Sequence, residues 1–270
     1  MQNRPDDPQG VMQHADKYTG GKALIVLGGY SARDWERVRD EIRPDVILGA
    51  NGVNSMITDL DYWMCAENMT RAHNLAAKGD ERNRQFFEIL NRKGARVRLV
   101  SHRSWWLLED KSDAVCIRRK GYDLHEIPEN FSIREYGEGY WSGWLLKQTE
   151  AGVPVRVGTV GLHLLHHAGI LGCAEAHTIG FDLMFRKEEG HHWYPYPTYQ
   201  PDRFRNETMF TRWEDIPTQH YWIETAQYLQ AVEWMFERDG MRWVDHSNGL
   251  LRAMGLQCAA QAIKIEKAHE

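Results

Sequence analysis

The chain has 270 residues, of which 42% are hydrophobic and 26% are charged, with a formal net charge of −5. This length allows a full buried core, and the composition excludes a disordered chain. The negative net charge gives no indication of nucleic-acid binding, which depends on clustered Lys and Arg. No apolar run approaches the roughly 20 residues that cross a bilayer, and no signal-peptide pattern opens the chain, so we expect a cytoplasmic protein.

The first half of the sequence alternates strand and helix patterns. The apolar run 23–27 ends in Gly28-Gly29 and continues as ARDWERVRDEI, which has helical spacing. Two further short strands end in the small or amide residues GANGVN and Glu67-Asn68. After the helical segment NRQFFEILNRKG, residues 96–102 alternate basic and apolar side chains, which predicts a strand with a solvated face.

The second half continues the same alternation. TVGLHLLHHAGILG predicts an apolar helix, and AEAHTIGFDL predicts a strand that ends in Gly180-Phe181-Asp182. The segment 185–217 holds HHWYPYPTYQPDRF and predicts an aromatic, lid-like loop. A long helix, the strand MRWVDHS and the short helix GLLRAMGL follow.

Alternation of this kind predicts an α/β fold, a doubly wound, mostly parallel sheet of the Rossmann-like type. We expect residues 1–20 to be a flexible N-terminal segment and residues 21–258 to form a single nucleotide-binding domain. Residues 259–270 would then be a C-terminal tail. The single cysteines suggest neither a disulfide framework nor a zinc site.

In a parallel sheet the ligand lies beyond the carboxyl ends of the strands, where helix N-termini offer free N–H groups. A glycine pair in this position is explained by helix–strand packing about as often as by ligand contact. An amide after the second strand can bind a base or a sugar, or form a turn before the next glycine. The strand ends supply Gly28, Gly29, Ser31, Asn51, Glu67, Asn68 and Asp182.

Several common cofactor and metal sites are disfavoured. GGYS is not the GxGxxG of dinucleotide-binding proteins, and no GxxxxGK[ST] occurs. Asp59 and Asp61 form a DxD pair, but they precede a strand and so fall at the amino end, away from the expected crevice. We therefore do not expect a metal site. For acid–base catalysis the candidates are His191, His192 and His220, because they lie in or beside the aromatic loop and a histidine side chain titrates near neutrality.

Taken together, ALIVLGGYS, DVILGANG, DYWMCAEN, TVGLHLLHHAGILGCAEAHTIGFDL and WVDHSNGLL resemble, in order and spacing, the bacterial sialyltransferases of glycosyltransferase family 42. They are also similar to the related superfamily of flagellin-glycosylation proteins and archaeal 6-hydroxymethylpterin pyrophosphokinases. The resemblance spans residues 23–251 and is one of pattern, without near identity.

The resemblance implies a GT-A-type variant of the Rossmann-like fold, with a CMP-sugar bound across the first strand turn and Asn51. Asn68 is similar to the Asn that ends the family's third strand, with Glu67 as a neighbour that can replace it. The family's serine before the apolar helix falls on Val160, a departure that leaves Thr159 and Gly161 as the donor-binding candidates.

The resemblance also implies catalytic residues. The family uses a pair of tyrosines to stabilise the departing phosphate. The first tyrosine falls on Met184 in this sequence, which is a second departure from the family's pattern. Tyr194 can take the place of the second tyrosine. His220 lies in the region of the family's histidine base.

We therefore expect a sialyltransferase-like glycosyltransferase that moves a sugar from a nucleotide-sugar, with a CMP-sugar favoured, to a hydroxyl acceptor, without metal or tightly bound cofactor. One alternative is an ATP-dependent pyrophosphokinase, which would need Mg²⁺ and ligands such as Glu67 and Asp182. Another is a non-catalytic nucleotide-binding protein of the same fold. The sequence leaves the oligomeric state open, with a homo-oligomer among the alternatives.

Overall fold

The computed structural model describes residues 13–65, 69–117, 145–148, 154–157, 159–184 and 211–256. Its main sheet is formed by seven strands: β1 (Lys22–Val26), β2 (Val46–Ala50), β3 (Leu60–Cys65), β4 (Ala95–Ser101), β5 (Ala114–Ile117), β8 (Glu175–Ile179) and β11 (Arg242–Asp245). Their order in the sheet is β11-β8-β1-β2-β3-β4-β5, and every neighbouring pair is parallel. The predicted parallel α/β sheet is therefore confirmed.

Helices flank this sheet on both faces. The α-helices are α1 (Trp35–Ile42), α2 (Thr70–Ala76), α3 (Glu81–Asn91), α4 (His102–Trp105), α5 (Val160–Ile170), α6 (His220–Arg238) and α7 (Leu250–Ala253). Two 3₁₀ helices follow the first two strands: Tyr30–Asp34 comes after the Gly28-Gly29 turn of β1, and Asn51–Ser55 directly follows β2. Among the helices of the described residues, none is long and apolar enough to span a membrane.

The two faces of β1 belong to different cores. Ala23 and Ile25 pack with the buried residues of α5 and α6, whereas Leu24 and Val26 pack with those of α1 and α3. Because both faces are covered, β1 is an unbroken apolar run rather than an alternating one. Helix α5 is buried on nearly all sides and packs across β1, β2 and β3.

Two short hairpins were not predicted. Strands β6 (Leu145–Gln148) and β7 (Pro154–Val157) pair antiparallel, as do β9 (Thr211–Trp213) and β10 (Ile216–Thr218). The second hairpin falls inside the segment 185–217 that the sequence predicts as an irregular loop, and its turn contains Glu214 with φ of +52°. The rest of that segment, residues 185–210, lies outside the described residues.

Residues 13–20, the described part of the predicted N-terminal segment, contact the domain: the N–H groups of Asp16 and Tyr18 donate to the carbonyls of Ile170 and Leu171 at the end of α5. On β4 the predicted solvated face is wrong at Arg98, whose side chain is 1% exposed. Its guanidinium binds Asp113, which approaches from the segment before β5.

Candidate functional site

The chain order of the sheet reverses between β1 and β8. On one side of β1 the strands continue in sequence from β2 to β5, and on the other side lie β8 and β11. In open parallel sheets such a switch point leaves a crevice beyond the carboxyl ends of the two strands, because their loops depart to opposite faces. The described residues at this edge come from the ends of β1, β2, β8 and β11 and from the N-terminus of α5.

Ser31 and Asp182 join the ends of β1 and β8. The Ser31 backbone N–H donates to the Asp182 carboxylate at 2.8 Å, and the Ser31 hydroxyl donates to its other oxygen. The same hydroxyl accepts a hydrogen bond from the Gly180 N–H at 3.1 Å. Both predicted site residues are buried, so their first role is to hold the glycine turn of β1 against β8.

The glycine pair after β1 sits close to the β8 end. The Gly29 N–H donates to the Gly180 carbonyl at 2.8 Å, and a Cβ on Gly29 would lie 2.5 Å from that carbonyl oxygen and 2.7 Å from an Asp182 carboxylate oxygen. Close packing therefore explains Gly29. Gly28 and Gly29 are both partly exposed, which leaves their backbone at the surface of the crevice.

Asn51 lies beside this turn at the end of β2. Val26 and Gly49 are paired in the β1–β2 register, so Gly28 and Asn51 each lie two residues beyond the same rung. Asn51 has φ of +51°, in the left-handed region that Asn tolerates better than most residues. Its carbonyl accepts a hydrogen bond from the Trp63 indole at 2.7 Å, and its side chain is half-buried.

Helix α5 begins at the same edge. The Thr159 hydroxyl accepts from the Leu162 N–H at 3.4 Å as the N-cap. A Cβ on Gly161 would lie 2.6 Å from Leu27 and 3.0 Å from the Phe181 ring, so the absence of a side chain allows the first helical turn to contact the ends of β1 and β8. Thr159 and Gly161 therefore lie at the switch point, and their role in donor binding stays a prediction.

The remaining predicted residues divide into two groups. His220 is the first residue of α6 and is exposed. The preceding Thr218 hydroxyl donates to the Leu183 carbonyl at 2.7 Å, which holds the start of α6 near the end of β8. Glu67, Asn68 and Tyr194 lie outside the described residues, so their roles stay predictions.

The polar residues Asp245 and Ser247 at the end of β11 were not predicted as site residues. Asp245 is buried and accepts from the Thr178 hydroxyl at 2.7 Å, and Ser247 accepts from the Phe181 N–H at 2.7 Å. Burial raises the pKa of Asp245 to about 7, although hydrogen bonds from Thr178 and Ser247 oppose the shift. Asp182 was selected by the strand-end rule, which states that ligands bind beyond the carboxyl ends of parallel strands. The same rule applies to WVDHS and could have identified Asp245.

The contacts of Asp61 and the arrangement of the other potential metal ligands show whether a metal site is present among the described residues. Asp61 accepts from the Ile47 N–H at 2.9 Å and pairs with Arg96 at 3.0 Å, at the amino end of β3 and far from the crevice. In the described ranges, no group of three or more His, Cys, Asp and Glu side chains is arranged to hold a metal ion. The crevice instead offers glycine backbone, helix N-terminal N–H groups and the Asn51 amide.

This edge carries groups that can bind a polar or anionic ligand. Free N–H groups at the start of α5 and the positive end of its dipole favour an anionic group, and an amide can both donate to and accept from a base or sugar. The chain matches no protein-family model, no curated protein and no solved structure in the comparisons made.

Proposed function

We propose that the protein is a nucleotide-sugar-dependent glycosyltransferase that binds its donor at the β1/β8 switch point, with a CMP-sugar favoured as donor and a hydroxyl compound as acceptor. One observation carries this proposal: Gly28 and Asn51 lie beyond the same rung of the sheet, where α5 also begins. This edge combines a hydrogen-bonding amide with backbone positioned for a phosphate.

The expected placement follows from these groups. The nucleoside would contact Asn51 on β2, and the phosphate would lie by the Gly28-Gly29 turn and the first turn of α5. Helix N-terminal N–H groups at this place would stabilise the negative charge that grows on the departing phosphate. Tyr194, Glu67 and Asn68 are further donor contacts that the family resemblance implies.

Glycosyl transfer of this kind needs a proton acceptor for the attacking hydroxyl. The family resemblance implies His220, which lies exposed at the start of α6. Direct displacement would then need no metal, because the helix N-terminus and hydrogen-bond donors receive the charge of the leaving group.

A thermal-shift panel of CMP, UDP, GDP and ATP, each with and without Mg²⁺, tests the proposal. We expect CMP to raise the melting temperature without Mg²⁺, because binding to the folded state alone stabilises it. Stabilisation by ATP only in the presence of Mg²⁺ would favour the pyrophosphokinase instead. No shift with any nucleotide would overturn both.

A further inference from the structure

Three titratable side chains form a hydrogen-bonded chain that runs from the first residue of β8 to the residue directly after β11. The Glu175 carboxylate lies 3.1 Å from Nε2 of His177, and Nδ1 of His177 lies 2.9 Å from Nε2 of His246. The two imidazole rings stack with their centroids 5.2 Å apart. We call this chain the Glu175–His177–His246 relay.

The carboxylate determines where the protons lie along the relay. Because a carboxylate only accepts hydrogen bonds, Nε2 of His177 carries the proton of that neutral ring and its Nδ1 is an acceptor. Nε2 of His246 must then donate to this Nδ1, which leaves the lone pair of His246 on its own Nδ1. No group in the described part of the chain donates a hydrogen bond to that atom, and the His246 ring is half-buried.

The surroundings keep both rings neutral near pH 7. Burial lowers the pKa of His177, although Glu175 opposes the shift. Burial, followed by the effects of His177 and Arg37, lowers the pKa of His246 to about 4. The charged and titratable groups that face the relay are Lys22 on β1, Arg37 on α1, Glu175 and His177 on β8, and Arg242 on β11.

His246 stands at the same edge as the donor-binding groups. Its N–H donates to the Thr178 carbonyl at 2.8 Å, directly after the last residue of β11. Strands are spaced by about 4.8 Å, so the distance from β2 across β1 and β8 to β11 is about 14 Å. That span matches an elongated nucleotide-sugar that begins at Asn51, and it places the sugar end towards β11.

Resting on the proposed function, but in place of the His220 that the family resemblance implies, we propose that Nδ1 of His246 accepts the proton of the attacking hydroxyl, with His177 and Glu175 as positioning residues. In this step the hydroxyl O–H bond breaks, and its proton moves to Nδ1 of His246. The oxygen forms a bond to the anomeric carbon. The bond from that carbon to the phosphate oxygen breaks, and the phosphate leaves with the electron pair.

The relay gives His246 a property that His220 does not share in the described structure. The imidazolium formed on His246 can pass its Nε2 proton towards His177, whose other nitrogen faces a carboxylate. The hydrogen bond to His177 therefore fixes the orientation of the His246 ring. No hydrogen bond between described residues fixes the His220 ring, which is exposed.

The first test measures the tautomers and does not depend on activity. We would record a two-bond ¹H–¹⁵N correlation spectrum of the full chain at neutral pH and assign the two rings with His246→Gln and His177→Gln. We expect both rings to be neutral and protonated at Nε2. A ring of His246 that is charged, or protonated at Nδ1, would overturn the relay.

The second test measures CMP release from CMP-sialic acid, with water or a glycan as acceptor. His246→Gln should lower the rate by about 100-fold or more with CMP affinity unchanged, because positioned proton transfer contributes that much. His177→Gln should lower kcat less and change the pH–rate profile, a readout that a purely structural role would not move. His73→Gln is the matched control, since its ring packs on Phe87 at 5.0 Å within the α2–α3 pair.

The outcomes separate the two proposals. If His220→Gln abolishes CMP release and His246→Gln does not, His246 is not the base and the inference is overturned, whereas the proposed function stands. If the wild type neither binds CMP nor cleaves the donor, the proposed function fails and the base role fails with it. The tautomer spectrum still decides in that case whether the relay exists.

Discussion

The backbone N–H and hydroxyl of Ser31 both donate to the carboxylate of Asp182, 151 positions later in the chain. This pair joins the two strands on either side of the switch point. The glycine turn of β1 is therefore held in place before any ligand arrives, and the crevice is built from backbone whose position depends on one buried carboxylate.

Removal of the Ser31 hydroxyl should be costly for stability. Ser31→Ala deprives the buried Asp182 carboxylate of one donor and the Gly180 N–H of its acceptor. We expect a loss of about 2–3 kcal/mol in the free energy of unfolding, measured by urea denaturation. The control is Ser55→Ala, where a half-buried hydroxyl donates to the Gly52 carbonyl and the loss should stay below about 1 kcal/mol. Equal losses would contradict the role given to Ser31.

Gly29 should not tolerate a methyl group. In Gly29→Ala the new Cβ would lie 2.5 Å from the Gly180 carbonyl oxygen, so the β1 turn must shift. We expect a loss of about 1–3 kcal/mol in unfolding free energy and weaker nucleotide binding. Gly94→Ala is the control, because its Cβ would meet nothing closer than 3.4 Å. If the two variants unfold at the same denaturant concentration, the close packing at Gly29 is not significant.

Asp245 should make stability depend on pH. Its pKa is raised from 3.8 to about 7 in the folded state, which therefore binds the proton more tightly than the unfolded chain. The contribution of Asp245 to stability is thus greatest below about pH 4 and falls as pH rises to 7. The change amounts to about 4 kcal/mol.

Asp245→Asn should remove this dependence, because the amide stays neutral. Unfolding free energies measured from pH 4 to 8 should fall less in Asp245→Asn than in the wild type. Asp59→Asn, at an exposed position, should follow the wild type. A wild-type curve parallel to that of Asp245→Asn would refute the assignment.

Arg98 should be important for the stability of the fold, whereas Arg96 should not be. Arg98→Met leaves the Asp113 carboxylate without its buried partner, which typically costs about 3–5 kcal/mol. Arg96→Met removes a pair in which the arginine is exposed, and Asp61 keeps its hydrogen bond from the Ile47 N–H, so the cost should be less than about 1 kcal/mol. Thermal unfolding of the two variants distinguishes the positions, and similar melting temperatures would count against a buried ion pair at Arg98.

The sequence predicted the sheet well, because central parallel strands are continuous apolar runs such as residues 23–27, bounded by glycine and amide residues. Arg98 shows where local pattern fails. An arginine on an alternating strand is typical of a solvated face, and only the tertiary approach of Asp113 makes its burial favourable. The β9–β10 hairpin was missed because each strand has three residues and one contains Pro217.

The candidate site was predicted in part. The strand-end rule brought Gly28, Gly29, Ser31, Asn51 and Asp182 to one edge, because parallel strands end together. It could not reveal that the carboxylate of Asp182 binds Ser31 rather than facing outward. The contacts of His246 depend on the register between β8 and β11, which pairs Val244 with His177 and which the spacing of residues does not encode.

A calorimetric titration of CMP into three proteins tests the binding site most directly: the wild type, Asn51→Gly and Arg43→Gly. Both substitutions place glycine at a left-handed position, with φ of +51° at Asn51 and +50° at Arg43, but Arg43 lies at the opposite edge of the sheet. We predict that Asn51→Gly weakens CMP binding by about tenfold or more, the loss of one hydrogen-bonding group, while Arg43→Gly binds as the wild type does. Equal affinity in all three proteins would contradict a nucleotide site at the β1/β8 switch point.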